Sequence, residues 1–423
     1  LHYQNSNPSN DFSLALVGTH NIFFNDLTID RSNGSDAMLI QGGAHHVTVT
    51  NSKLGGNIKS PRYSVDSVLT FVGNNMEEKT IELYHPVGTD AGRIRIENNY
   101  LNYININNFS NAQIINNSRN SSKDAAYLFR LDTCKNITFS NNILRRNDFY
   151  GDTNMVYTDN KLYRETSWRQ FYAQNCYNLS LSNNVYNDAL RANAVAFVSS
   201  EKITVQNDSI LNPSQNYTWA QVAAALTVST VNDFIFKDNY VRTAGRTYSI
   251  LISGTNDSIF IKRNHLETFS TDTHGAYVSG GVSYLEIDSN VISNHIYSGL
   301  YLRPRVGNEW RVRGNTIENI VDKSIDLLGS AISTSDVSNN GGVGALVYIN
   351  GNTVQGGKNG IVISDSQGTI TTKDISRNKL LGQIGGIGIT VSGANSLVAN
   401  NYIQMDGVGI AKGISLEANG SGS

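Results

Sequence analysis

The sequence predicts an all-β chain wound as a right-handed parallel β-helix, a solenoid of about 14 coils, and three observations carry that prediction. A short phrase recurs: apolar, any, apolar, any, a polar pair usually containing Asn, one residue, then another apolar. It stands at Val47–Leu54, Ile94–Leu101, Ile137–Leu144, Leu179–Tyr186, Phe234–Val241 and Leu285–Ile292. One corner residue of it can be followed through Leu27, Ser52, Asn99, Ser118, Asn142, Asn184, Asp208, Asn239, Asn264, Asn290, Asn315, Asn352, Asn378 and Asn401, mostly in steps near 25 residues. After each corner comes a second alternating stretch, such as Ala37–Ile40 or Gly360–Ile363. Each step is therefore one coil of short strands, with neither the helical segment nor the dense leucine pattern of a leucine-rich repeat.

The corner Asn residues repeat along the whole chain and do not cluster, so they read as architecture. Stacked coil on coil, they hydrogen-bond one another and the bend backbone, and Asn tolerates the left-handed conformation a bend needs. Sequons such as Asn136-Ile-Thr138 arise from the same corner chemistry and carry no glycosylation argument. Cys134 and Cys176 share one repeat position, three residues before the phrase. They are expected to stack on adjacent coils as buried thiols, since side chains in register suit disulfide geometry poorly.

The 423 residues are 39% hydrophobic and 16% charged with a net charge of -2, which leaves no electrostatic footprint for nucleic acid. No apolar run approaches the roughly 20 residues of a membrane span, so no membrane insertion is expected. The eight His residues show no ligand spacing beyond His45-His46, so neither a metal nor another cofactor is expected. Abundant Asn, Ser, Thr and Gly suit an extracellular surface. Without a signal-peptide pattern or initiator Met, the chain reads as an excerpt or mature form. Because solenoids stack without a spherical core, one domain over 1–423 is expected.

Function in solenoids tends to sit where the repeat is interrupted. Long steps mark insertions at about 55–92, 145–170, 212–221 and 331–344; the first carries the strand-like run Val65–Val72 and so also reads as a full coil with a degenerate corner plus a loop at 73–92. The second holds aromatic residues and both signs of charge, as a sugar site needs: rings stack on sugar faces while carboxylates and Arg hydrogen-bond polar groups. Glycoside hydrolysis requires two carboxyl groups, about 5–5.5 Å apart for retention or roughly 6.5–9.5 Å for inversion. The candidates are Asp148, Asp152 and Glu165, with Asp159 in the same stretch. Asp124, Tyr127, Trp168, Arg169 and Tyr172 are expected to line the glycan site. By alternation Tyr127 and Tyr172 point outward on consecutive coils, as do Tyr277, Tyr301 and Asp326, with Arg303 two positions further. A second cluster of Glu267, Asp272, His274, Tyr277, His295, Tyr301, Arg303 and Glu309 suits another reaction, β-elimination from a uronic acid. That chemistry wants a base for the C5 proton and a cation on the carboxylate.

The recurring phrase resembles that of the pectate-lyase-like β-helix superfamily, and Ser35–Gln41 followed by His46–Leu54 is faintly similar to its first coils. Where those lyases carry an Asp-His pair and calcium-binding carboxylates, this chain has Thr50-Asn51. The Asn-rich coils and irregular aromatic stretches look more like the central domain of a bacteriophage tailspike. That resemblance implies a homotrimer on a virion tail or otherwise outside the cell. It further implies that the protein binds and cuts bacterial capsule or O-antigen polysaccharide. The rivals are a polysaccharide lyase or epimerase of the same fold and a β-helical adhesin or fibre without turnover.

Overall fold

The computed structural model describes residues 2–4, 12–30, 36–61, 67–77, 79–86, 92–118, 128–163, 169–187, 193–211, 223–243, 247–268, 274–279, 281–328, 344–365, 368–383, 386–393, 395–406 and 412–417. Among them every helix-or-strand element is a β-strand, and the strands pair in parallel as a solenoid. The chain falls into two compact units, 1–185 and 186–423. In each, a coil gives one strand to a first sheet, one to a second and a short one to a third.

In the 1–185 unit the first sheet includes Thr80–Tyr84, Tyr103–Asn107, Leu128–Asp132, Arg146–Tyr150 and Phe171–Gln174, paired in that order. In the 186–423 unit it includes Thr247–Ser253, His274–Val278, Ser298–Leu302, Lys323–Leu328 and Asn359–Ser364, likewise in order. Alternate side chains point inward. The interior of the first unit stacks Phe139 on Tyr157 (centroids 5.0 Å apart), while that of the second buries Trp310, whose Nε1–H donates to the Val282 carbonyl at 2.8 Å.

The corner between second and third sheets is where sequence becomes fold most directly. The side chain of Asn99 accepts from the backbone N–H of Asn74, and its amide donates to the carbonyl of Phe71 and the side chain of Asn117. The same pattern runs from Ser52 to Asn184 in the first unit and from Asp208 to Asn401 in the second. Each rung satisfies donors and acceptors that would otherwise be buried and unpaired. The residue before the rung is left-handed (Asn98 φ 55°, Asn116 54°, Asp159 57°, Asp238 57°), which is why Asn, Asp and Gly dominate there.

The ladder corrects three expectations. Its rung is Asn117, one residue before the expected Ser118. The two longest steps each conceal a rung, Asn74 between Ser52 and Asn99 and Asn160 between Asn142 and Asn184. The stretch 145–170 is therefore built into the solenoid, with strands Arg146–Tyr150, Thr153–Thr158 and Lys161–Tyr163. The stretch 55–92 likewise holds Asn57–Lys59, Ser67–Val72 and Thr80–Tyr84. The stretch 145–170 is thus not the inserted loop expected, and 55–92 holds the full coil that its strand-like run allowed, with a regular corner at Asn74. The expected insertions at 212–221 and 331–344 lie outside the described residues, apart from Gly344.

Candidate functional site on the outward face of the first sheet

In the 1–185 unit the outward row Glu82, Asn105, Arg130, Asp148 and Tyr172 runs in register across five strands. Asp148 and Tyr172 are thus brought side by side. A parallel row holds Tyr84, Asn107, Asp132, Tyr150 and Gln174. The charges on this face are matched from within. Arg146 grips Asp148 with two bonds, Nε to Oδ1 at 3.0 Å and a terminal nitrogen to Oδ2 at 2.5 Å. Arg130 lies 3.5 Å from Asp132 and 4.6 Å above the Tyr150 ring. Arg169 sits 3.9 Å above Tyr172, whose hydroxyl donates to Gln174 at 2.8 Å. Burial and then Asp148 raise the Tyr150 phenol above its ordinary value.

Asp152 is not on this face. It follows left-handed Gly151 (φ 64°), which turns the chain inward at the corner between first and second sheets. There it stands between Cys134 and Cys176, fully buried, its Oδ1 accepting from the Cys134 N–H at 2.7 Å. Burial raises this carboxyl well above the usual carboxylate range, and burial followed by Asp152 pushes the Cys176 thiol up to about 12. A carboxyl that no glycan reaches is no glycosidase catalyst, so Asp152 leaves the candidate set. Both side chains are buried thiols outside any disulfide, as expected, but Asp152 separates them where adjacent coils were expected. Asp124, Tyr127, Glu165 and Trp168 lie outside the described residues. Tyr172 finds Asp148 and then Arg130 as its in-register neighbours, because the coil at Asn160 intervenes.

The 186–423 unit carries the more open arrangement. Tyr277, Tyr301 and Asp326 occupy one register position on three successive strands, as the alternation predicts. On the preceding strand Leu251 holds this row, while Tyr248 stands at the position of His274 and its ring reaches across to Tyr277. Tyr248 and Tyr277 stack at 5.1 Å and 16°, Tyr277 and Tyr301 at 4.8 Å and 17°. His274 lies along the edge of this stack, 5.2 Å from the Tyr301 ring and 5.6 Å from that of Tyr297. Small residues make room for the corner beside it. A Cβ on Gly275 would come 2.7 Å from Ile292 Cγ2, and one on Gly299 would come 2.7 Å from Ile317 Cγ2.

The electrostatics of this site set its protonation states apart. Burial, reinforced by Lys323, lowers His274 to about 4, so the imidazole is neutral at neutral pH. Asp326 has only 6% of its side chain exposed; its Oδ2 meets Lys323 Nζ at 3.0 Å and its Oδ1 is buried without a protein partner. Burial wins over the Lys323 bond and raises the Asp326 carboxyl, with Asp322 adding to the rise. Tyr248 and Tyr301 are also raised by burial, then by neighbouring tyrosines.

Other members of the second cluster are dispersed. Glu267 belongs to the third sheet, where the Tyr240 hydroxyl donates to it and His265 lies 3.7 Å away. Glu309 pairs with Arg311 at 2.6 Å on the second sheet, His295 is fully buried, and Asp272 lies outside the described residues. Tyr248, Tyr297 and Lys323 were missed. The signal for Tyr248 was available, because it precedes inward Ile250 by the spacing that separates His274 from inward Ala276. Among the described residues no group of three or more His, Cys, Asp or Glu gathers to hold a metal ion.

No family model matches the sequence, and no curated protein matches it. The solved structures it is similar to are mostly phage tailspikes and other β-helix proteins of carbohydrate chemistry. The Dettilon tailspike is 12% identical over 88% of this chain and 62% of its own, with a TM-score of 0.28. A tailspike mutant of E. coli bacteriophage HK620, solved with a hexasaccharide, is 9% identical over 82% of this chain and 65% of its own, at 0.29. The A-module of a mannuronan C-5 epimerase from Azotobacter vinelandii is 13% identical over 93% of this chain and 91% of its own, at 0.26. The chain thus spans less than two thirds of either tailspike. At such TM-scores the likeness adds nothing to a fold already read from strand pairing.

Proposed function

We propose that this protein is a polysaccharide depolymerase of the glycoside-hydrolase kind, acting on the outward face of the first sheet in the 186–423 unit. The observation that carries the reading is the Tyr248–Tyr277–Tyr301 stack running into Asp326. Parallel aromatic rings on successive coils cover one another's faces and present a row of ring edges and phenol groups along which consecutive sugars make contact. At its end stands a carboxyl kept protonated to higher pH by burial, the state a general acid needs to protonate a departing glycosidic oxygen. Asp322, whose charge helps raise Asp326, is the proposed partner that activates water. Arg146 grips Asp148 through both carboxylate oxygens where Lys323 holds Asp326 through one, so the Asp148 face is proposed as a secondary contact in which Arg169 and Tyr172 meet the glycan.

The proposed substrate is a bacterial surface polysaccharide such as capsule or O-antigen, met outside the cell, with the chain as part of a homotrimer; the tailspike-like Asn-rich coils and aromatic stretches support this. Elimination is the second reading. It is favoured by the neutral His274 beside Tyr301, a base and a hydroxyl at one place. Incubation with bacterial capsules and lipopolysaccharides, read by fragment mass, tests both. Fragments heavier by one water support hydrolysis, unsaturated fragments support elimination, and binding without fragments removes the enzyme reading.

A further inference from the structure

Several cations described on the outer surface of the 186–423 unit already hold an acid. Arg263 holds Asp238, Lys262 and Arg313 hold Glu286, Arg311 holds Glu309 and Lys323 holds Asp326. Arg303 differs. Among the described residues it forms no ion pair, and its Nε is buried with no hydrogen-bond partner. It follows Tyr301 by two positions and so extends on the same outward side. Pro304 keeps the Arg303 backbone extended, and the following turn is closed by Arg305 N–H donating to Asn308 Oδ1 at 2.7 Å. A half-buried guanidinium with open donors, fixed beside an aromatic stack, is a fork that matches a carboxylate.

Resting on the polysaccharide reading above, we infer that this site selects an acidic glycan, with Arg303 receiving the carboxylate of a uronic acid residue seated beside Tyr301. A neutral sugar leaves the Arg303 guanidinium without a matching acceptor, and such unpaired groups are what make polar sites discriminate. The positive charge of Arg303 is felt at Tyr301, where it lowers the phenol against the raising effects of burial and Tyr277. Charge and ring therefore serve the same sugar position.

The test uses the full chain and capsular polysaccharides that contain glucuronate or galacturonate, before and after carbodiimide–borohydride reduction of their carboxyl groups to alcohols. Calorimetric affinity is expected to fall at least tenfold on reduction for the wild-type protein. Arg303→Gln is expected to lose the same factor on the native glycan and nothing further on the reduced one, with Arg303→Lys in between. Equal affinity for native and reduced glycan overturns the acidic-sugar inference and leaves the depolymerase reading standing. Absence of binding to any capsule or lipopolysaccharide, neutral ones included, overturns both. The comparison of glycans on wild-type protein decides even if a variant fails to fold.

Discussion

Tyr277 and Tyr301 stand face to face, centroids 4.8 Å apart and planes 17° from parallel, because they hold the same register position on successive strands. The spacing of the stack is thus the strand spacing itself, and no loop has to be held in place to form it. A binding surface of this kind comes preorganised, so little ordering cost is left for the moment of binding.

Removing a ring from the stack should weaken glycan binding without unfolding the protein. Tyr301→Ala or Tyr277→Ala is expected to weaken affinity roughly 3- to 10-fold, in line with about 0.5–1.5 kcal/mol per aromatic contact. Calorimetry against a bound polysaccharide, with a thermal melt as control, checks this. Unchanged affinity in both variants would place the glycan elsewhere.

The Asn ladder should behave oppositely, affecting stability more than binding. In Asn290→Ala the backbone N–H of Asn264 and the carbonyl of Ile261 lose their partners inside the solenoid. The expected loss is about 2–5 kcal/mol, measured by urea denaturation. Asn160→Ala should cost a similar amount, which an Asn in an inserted surface loop would not.

That contrast shows how much was legible in the sequence. The parallel solenoid, the structural role of the Asn corners and the row Tyr277–Tyr301–Asp326 all follow from periodicities of about 25 and of two. The coil at Asn160 was missed and the corner at Asn74 read as degenerate, although Leu69–Met76 and Met155–Leu162 obey the recurring phrase. The rung spacing from Asn142 to Asn160 is only 18 residues, as short as that from Asn99 to Asn117, so a short coil passed for part of an insertion. Treating that stretch as a loop put Asp152 in the site, whereas the coil corner turns it inside. The protonation contrast between His274 and Asp326 was not legible, because it depends on burial by side chains that meet only across coils.

Acid should destabilise the protein through its buried histidines. Burial holds His274 at about 4 and His295 at about 3, against 6.5 for a free side chain. The unfolded chain therefore binds more protons between about pH 6.5 and pH 3–4, and stability falls as pH drops through that window. For His274 alone the loss approaches about 3 kcal/mol at the acid end. Asp326 and Asp152, whose carboxyls are raised, work in the opposite sense by favouring the protonated folded form at low pH. In an Asp152→Asn, Asp326→Asn background, which removes that opposition, the melting temperature is expected to decline from about pH 6.5 to about pH 4. A melting temperature that rises across that interval would contradict these assignments.

The column of Cys134, Asp152 and Cys176 should be chemically silent. Both thiols are buried and raised, so iodoacetamide is expected to leave them unlabelled in the native protein and to label both after denaturation. Asp152→Asn is expected to be tolerated within about 1 kcal/mol, since burial already keeps the carboxyl protonated. Mass spectrometry and urea denaturation check these outcomes, and loss of depolymerisation in a stably folded Asp152→Asn would restore it as a candidate.

The central claim is that proton donation comes from Asp326 and not from the Arg-bound Asp148. The direct measurement is the rate of reducing-end release from a polysaccharide the protein cleaves, for Asp326→Asn and Asp148→Asn side by side, with affinity measured in parallel. The account predicts a fall of about 100-fold or more for Asp326→Asn at nearly unchanged affinity, and less than about 10-fold for Asp148→Asn. A collapse of rate in Asp148→Asn with Asp326→Asn still active would contradict it and return the site to the 1–185 unit.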